Sequence, residues 1–392
     1  MRAVLPLPLL CAGLLAAVDS RIEKGFEHFY NLEYDESIAE FEKAVAEDAS
    51  DADRHNHLAQ ALLYREMYRV GALESELVSG TNPFLRRPKM NPAPEVERRF
   101  FGEIQKSMDL CQIRMKKDAH DTRALYSMGV AHGLRANYNF LVRKAWLDSL
   151  RDATTGRKLH NRVTELEPFN YDSRLMQGMH DYIVGSLPTF YRMLGFVAGF
   201  RGDKSAGVKT LQLVAEKGDK NRYDAKILLC ALYRRENQPR LALPLIESVL
   251  LRYPRNYLLL FEQAQMYSLI GDKEKAIASV QKVAEQKRRG VPGFAAVPWE
   301  KVYFHLGTIQ FWYRDLDESL ENMKKVTAAS GKVDLNTGVM AWLRQGQIHD
   351  MRGNRELAIQ AYRQAISLAP QADAAQESRR YLASPYRRGK KG

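Results

Sequence analysis

The stretch Gly199-Phe200-Arg201-Gly202-Asp203-Lys204-Ser205 carries the glycines, lysine and hydroxyl of a phosphate-binding loop. Such a loop needs glycine directly before the lysine, a strand upstream and a helix downstream. Here Asp203 stands before Lys204, its carboxylate would repel phosphate, and both flanks read as helical. A turn followed by a helix N-cap is the reading that fits. His55 and His57 are two positions apart, which puts them on different faces of a helix and does not suit joint metal ligation. No paired-histidine metalloprotease motif, nucleophile elbow or closely spaced cysteine pair occurs, and the carboxylates Glu40, Glu42 and Glu47 read as an exposed helix face. The sequence therefore predicts no catalytic residue, no metal site and no cofactor.

What must be positioned instead is a surface. Trp342, Gly346, His349, Gly353, Ala358, Tyr362, Ala365 and Pro370 alternate large and small residues at helical spacing. Gly346 and Ala358 suit a close crossing of two helices, with Trp342 and Tyr362 filling the space beside them. Gly353 lets the chain turn, and Pro370 cannot continue the second helix. One such pair cannot cover its own apolar face, so copies must stack. The pattern resembles the tetratricopeptide repeat, a helix–turn–helix of about 34 residues.

Three further copies precede it, carried by Tyr303, Leu306, Gly307, Ser319, Met323 and Val326; by Leu260, Ala264, Tyr267, Gly271, Ala276 and Val280; and by Leu229, Cys230, Tyr233, Ala242, Ile246 and Pro254. Their frames begin near Tyr223, Tyr257, Glu300 and Val339, and the loops 287–298 and 330–337 account for the longer steps. The N-terminal half uses the same grammar with longer helices: Gly25, Phe41 and Ala44 open a first unit, and helices are expected over about 52–73 and 95–117. The unit of Leu125, Met128, Gly129 and His132 fits only with about 15 residues inserted between its helices, and the unit from Gly178 to Leu211 with about 17.

That second insertion, 185–207, contains Ser186-Leu187-Pro188 and Gly202-Asp203-Lys204. It resembles a block of the eukaryotic inclusion-body-clearance tetratricopeptide family, shared by bacterial envelope repeat proteins. The resemblance covers about 172–218 and implies an α-solenoid with a modified central repeat; it carries over no catalytic residue. The expected fold is all-α, an α-solenoid (right-handed superhelix) of tetratricopeptide repeats, regular toward the C-terminus. The expected divisions are a signal peptide over 1–20, irregular repeats over 21–218, about four regular repeats over 219–370, and a helix end with basic tail over 371–392.

At 392 residues, 45% hydrophobic and 27% charged, the chain can bury an extended core. Arg2, the apolar run Val4–Val18 and the small residues ending at Ser20 read as a secretory signal, too short for a membrane span. Its removal would leave Cys111 and Cys230, which indicates no disulfide framework. The net charge is +12, of which Arg379, Arg380, Arg387, Arg388, Lys390 and Lys391 supply half. No basic stripe interleaved with aromatics points to nucleic acid.

In arrays of this kind the first helix of each pair lines the concave face. The mapped positions give Phe261, Gln265, Lys301, Phe304, Thr308, Phe311 and Gln347 as candidate partner-binding residues, with the three phenylalanines as anchors. The alternative is that those rings pack against the neighbouring repeat. The expected function is a non-enzymatic scaffold for a protein or peptide in the bacterial envelope, exported to the periplasm. One alternative is a peripheral membrane-surface protein using the apolar insertion 182–200 and the basic tail. A remote one is an enzyme whose site would show several ionisable groups with shifted pKa values in one pocket.

Overall fold

A computed structural model describes residues 9–73, 90–186, 202–329 and 333–387. Most of the 185–207 block, the first eight residues and the end of the basic tail lie outside them. All regular elements among the described residues are helical. The chain separates into two compact units, 1–253 and 254–392. The first unit runs past 218/219 to residue 253, because α9 and α10 below are bound back into it.

The first unit holds α1 (Leu9–Tyr30), α2 (Tyr34–Glu47), α3 (Ala52–Arg69), α4 (Pro94–Lys117), α5 (Thr122–Tyr138), α6 (Trp146–Leu166), α7 (Leu175–Gly185), α8 (Lys204–Lys217), α9 (Arg222–Arg235) and α10 (Pro239–Arg252). The second holds α11 (Tyr257–Leu269), α12 (Lys273–Arg288), α13 (Trp299–Tyr313), α14 (Leu316–Ala328), α15 (Leu335–Met351), α16 (Arg355–Leu368) and α17 (Asp373–Ala383). Within each unit a helix packs chiefly on its neighbours in sequence. That is the quasi-one-dimensional contact pattern of a solenoid.

Side-chain caps set several of the starts. Asp51, Asp121, Asp203, Asn256, Asp272 and Asp334 each accept a hydrogen bond from a backbone N–H in the first turn of the helix that follows. These are residue types whose short polar side chains satisfy donors that the helix itself leaves open.

In five helix pairs a glycine faces a larger side chain at the crossing. A β-carbon at Gly346 would overlap the Tyr362 ring, and one at Gly25 would overlap the Phe41 ring; Gly307 meets Met323 in the same way. In all three the partner comes 16 positions later. Gly129 faces His160 and Gly178 faces Leu211, which are 31 and 33 positions later. These offsets match the insertions of about 15 and 17 residues expected from the frame. In the Gly129 unit the inserted residues form no loose loop. They extend α5 through a π-helical turn, Asn139–Arg143, and lengthen α6 at its start. Gly353 sits at φ 77°, a left-handed turn between α15 and α16 that a glycine adopts without strain.

Beyond α17 the chain folds back onto the second unit. The fully buried Asp350 carboxylate accepts from both the Arg355 guanidinium and the Tyr362 hydroxyl, and from the backbone N–H of Tyr386 at 2.7 Å. The Tyr386 ring then packs near Phe311.

Gly346→Ala is expected to destabilise the chain by about 1–3 kcal/mol through overpacking against Tyr362. Gly102→Ala, a helical position with no heavy atom near the added carbon, is expected to be neutral or stabilising by about 0.5–1 kcal/mol. Urea unfolding of both variants against the parent chain checks the pair.

Candidate functional site

The predicted inner positions of the second unit fall on α11, α13 and α15, but the structure buries the three proposed anchors. Phe261, Phe304 and Phe311 are 4%, 2% and 0% exposed. Phe261 stacks on His305 with ring centroids 3.9 Å apart. Phe304 packs with Met323, Val326 and Ala341. Phe311 packs with Leu320 and Ile348. Each ring reaches the next first helix and fills the gap between consecutive repeats, so it cannot also be an exposed anchor. Lys301 is likewise committed: its ammonium pairs with Asp334 and donates to the Thr337 hydroxyl at 2.9 Å.

What remains at the inner surface is more polar. Gln265 and Thr308 are half-buried, and Gln347 is buried while accepting from Arg344 Nη1 at 2.7 Å. The Arg344 guanidinium lies 4.4 Å from the centroid of Phe311 and 4.9 Å from that of Trp312. Trp312 is itself 38% exposed. Arg344 and Trp312 thus form a ledge that presents a ring and a cation together, with His305 and Thr308 beside it on α13. The mapping missed Trp312 because it follows Phe311 by one position, and a one-residue step turns a helical side chain by about 100°.

The inner face of the first unit is occupied by its own side chains. The Tyr30 hydroxyl on α1 donates to Asp224 on α9 at 2.9 Å, although the two are 194 positions apart. Around that bond, the rings of Tyr30, Tyr223 and Tyr253 lie 4.8–5.9 Å apart. Lys220 pairs with Asp53 of α3 at 3.2 Å, and Asn221 donates to the Tyr126 hydroxyl of α5. Asp172 fixes the approach to α9 by accepting from the backbone N–H groups of Asp219, Lys220 and Asn221. These bonds tie α9 and α10 to the N-terminal helices and explain why the unit extends to residue 253.

Several groups in this unit have shifted pKa values, mainly because they are buried. Burial pushes Asp224 up to about 6, against the opposing effect of the Tyr30 hydroxyl. It pushes His57 and His160 down to about 4, so both are neutral. His57 packs against Phe26 and Phe41. His160 stacks face to face on Tyr126 and lies 3.1 Å from its carbonyl oxygen, the ring nitrogen donating. The Cys111 thiol is buried and its pKa is also raised, to about 12. Burial is the largest cause of each shift, and the charges of Asp53, Asp172 and Lys220 on the inner face of the unit act further on Asp224, Tyr126 and His57. His55 bonds Glu103, away from His57. In the loop-like stretch, Asp203 caps α8, and Lys204 pairs with Glu236.

Asp224 has a measurable consequence. A free aspartate titrates near 3.9, so between about 4 and 6 the folded chain holds a proton that the unfolded chain has lost. Its contribution is complete below about 4 and is lost as pH rises through 6. Asp224→Asn is therefore expected to be more stable than the parent chain at pH 7 by about 1–3 kcal/mol, with the difference closing toward pH 4. Urea unfolding of both proteins across that range checks it, and a difference independent of pH would contradict it.

Two family profiles, each described as tetratricopeptide repeat, match residues 230–292 and 339–372. A search of curated proteins finds no match. Among solved structures, yeast Tom70 is similar at 11% identity over 94% of this chain and 95% of that one, with a TM-score of 0.41. A human IFIT1 dimer with PPP-AAAA aligns at 14% identity over 95% and 86% of the two chains, with a TM-score of 0.44. The 339–372 match covers the pair in which Gly346 faces Tyr362, and the 230–292 match contains the fully buried Ala242 and Ala276. The chain is a tetratricopeptide-repeat protein.

Proposed function

We propose that this chain is a non-enzymatic scaffold that holds a protein or peptide partner on the inner face of residues 254–392, and that it does so in the bacterial cell envelope after export. The observation that carries the reading is the ledge of Trp312 and Arg344 on successive first helices, with Thr308 and His305 next to it. An exposed indole held beneath a guanidinium offers large contact area, a hydrogen-bond donor and a charge at small entropic cost. Protein is the favoured class over nucleic acid because the half-exposed inner groups Gln265, His305, Thr308 and Trp312 include no run of cations, which a phosphate backbone would require. The non-enzymatic part is supported by the sequence, which carries no paired-histidine metalloprotease motif, nucleophile elbow or closely spaced cysteine pair.

Export is supported by Arg2 and the apolar run Val4–Val18 ahead of small residues ending at Ser20. Cell fractionation with mass spectrometry of the N-terminus is expected to find an envelope form beginning near Arg21, and retention of the uncleaved chain in the cytoplasm would contradict it. The partner site is tested by placing a photo-crosslinking residue at Thr308 or Trp312, with Lys282 on the exposed side of α12 as the control. The expected result is one protein captured from the two inner positions and not from Lys282. Equal capture from all three would remove the inner-face assignment.

A further inference from the structure

One edge of the first unit, where the first helix of a pair turns into the second, differs in character from the rest of its surface. Contacts follow this edge from α3/α4 to α5/α6, and again from α7/α8 to α9. Arg69 at the end of α3 donates to the Asn91 carbonyl before α4, and Glu97 of α4 accepts from Arg143 after α5. Phe140 then meets Trp146 at the start of α6, with ring centroids 4.6 Å apart. At the following pairs, Tyr182 of α7 and Lys204 of α8 both bond Glu236 at the end of α9.

Nine large apolar side chains are exposed among the described residues of this unit, and six stand on this edge: Val70, Trp146, Leu147, Leu150, Ile183 and Leu241. Each lies at the end of a first helix or within the first two turns of a second one. Trp146 is 40% and Leu147 71% exposed. Such a concentration is not the scatter of single apolar residues expected on a soluble surface.

Cations are interleaved with these side chains. Arg143, Lys144 and Arg151 flank the tryptophan, and Lys204, Lys209, Arg235 and Arg240 surround Leu241. Arg143 pairs with Glu97, Arg151 with Asp148 and Lys204 with Glu236, and Asp203 caps α8, so the seven named cations exceed these four acids by three. A groove of about 730 Å³, lined by Lys204, Lys209, Gln212, Tyr233 and Leu241 among others, opens at the same edge.

We infer that this edge docks on an anionic lipid surface. Leu241 lines the groove, while Val70, Trp146, Leu147, Leu150 and Ile183 stand exposed at helix ends, which suits insertion among lipid head groups. Tryptophan favours that boundary because its ring is apolar and its N–H polar. The alternating cations match a negatively charged leaflet. No helix among the described residues is long and apolar enough to cross a membrane, so the contact is one of surface docking. It is independent of the partner proposed for residues 254–392.

The test uses the purified full chain and vesicles of phosphatidylcholine with and without phosphatidylglycerol. The chain is expected to float with the anionic vesicles and to bind the neutral ones more weakly. Brominated lipid should quench its tryptophan emission, and Trp146→Phe should remove most of that quenching. This readout separates the edge from the apolar run Val4–Val18, which holds no tryptophan. Trp146→Glu with Leu147→Glu should weaken binding about tenfold, whereas Ile113→Glu, away from the edge, should leave it unchanged, with circular dichroism confirming that each variant is folded. No binding to anionic vesicles overturns the inference. So does quenching that survives in Trp146→Phe, or binding untouched by the double substitution, whether or not a protein partner contacts the edge.

Discussion

The close approach of a small residue on one helix to a bulky side chain on the next is the contact on which the rest of this structure depends. Gly346 against Tyr362 and Gly25 against Phe41 bring two helices together at a fixed crossing, and the crossing determines which faces are left for the next pair. Where residues are inserted, the same contact is kept. Gly129 still meets His160, and Gly178 still meets Leu211. In the Gly129 unit the extra residues lie past the contact toward the turn. They lengthen α6 at its start, where Trp146 and Leu147 are exposed.

The two units put their inner faces to different uses. In the first, Tyr30, Asp53 and Tyr126 bond to Asp224, Lys220 and Asn221, so the inner face is committed to holding the unit together. In the second, the phenylalanines join repeat to repeat while Trp312 and Arg344 remain at the surface. That difference is why the proposed partner site is placed on the second unit.

Much of the fold was legible because its controlling contacts are local. A glycine and an aromatic 16 positions apart can be read directly, and departures from that interval give the size of an insertion. The unit boundary was not legible in this way. The Tyr30–Asp224 bond spans 194 positions and follows no periodicity, so nothing in the repeat pattern assigns α9 and α10 to the first unit. The partner residues were only partly legible. An inner helical position can face outward or toward the next first helix, and phenylalanine suits either. Burial decided for the second at Phe261, Phe304 and Phe311, and left Gln265 and Thr308 half-exposed. Trp312 and the edge residues other than Ile183, which falls in the apolar insertion 182–200, went unnoticed because they lie outside the positions the repeat defines.

The most direct measurement for a partner held by the second unit is amide hydrogen exchange on the chain purified together with whatever accompanies it from its native cells, compared with the chain alone. Slowed exchange should concentrate in α13 and α15, around Thr308, Trp312 and Arg344, and be absent from α12 and α14. Protection confined to those second helices, or unchanged exchange along α13 and α15, would contradict a partner seated on the inner ledge.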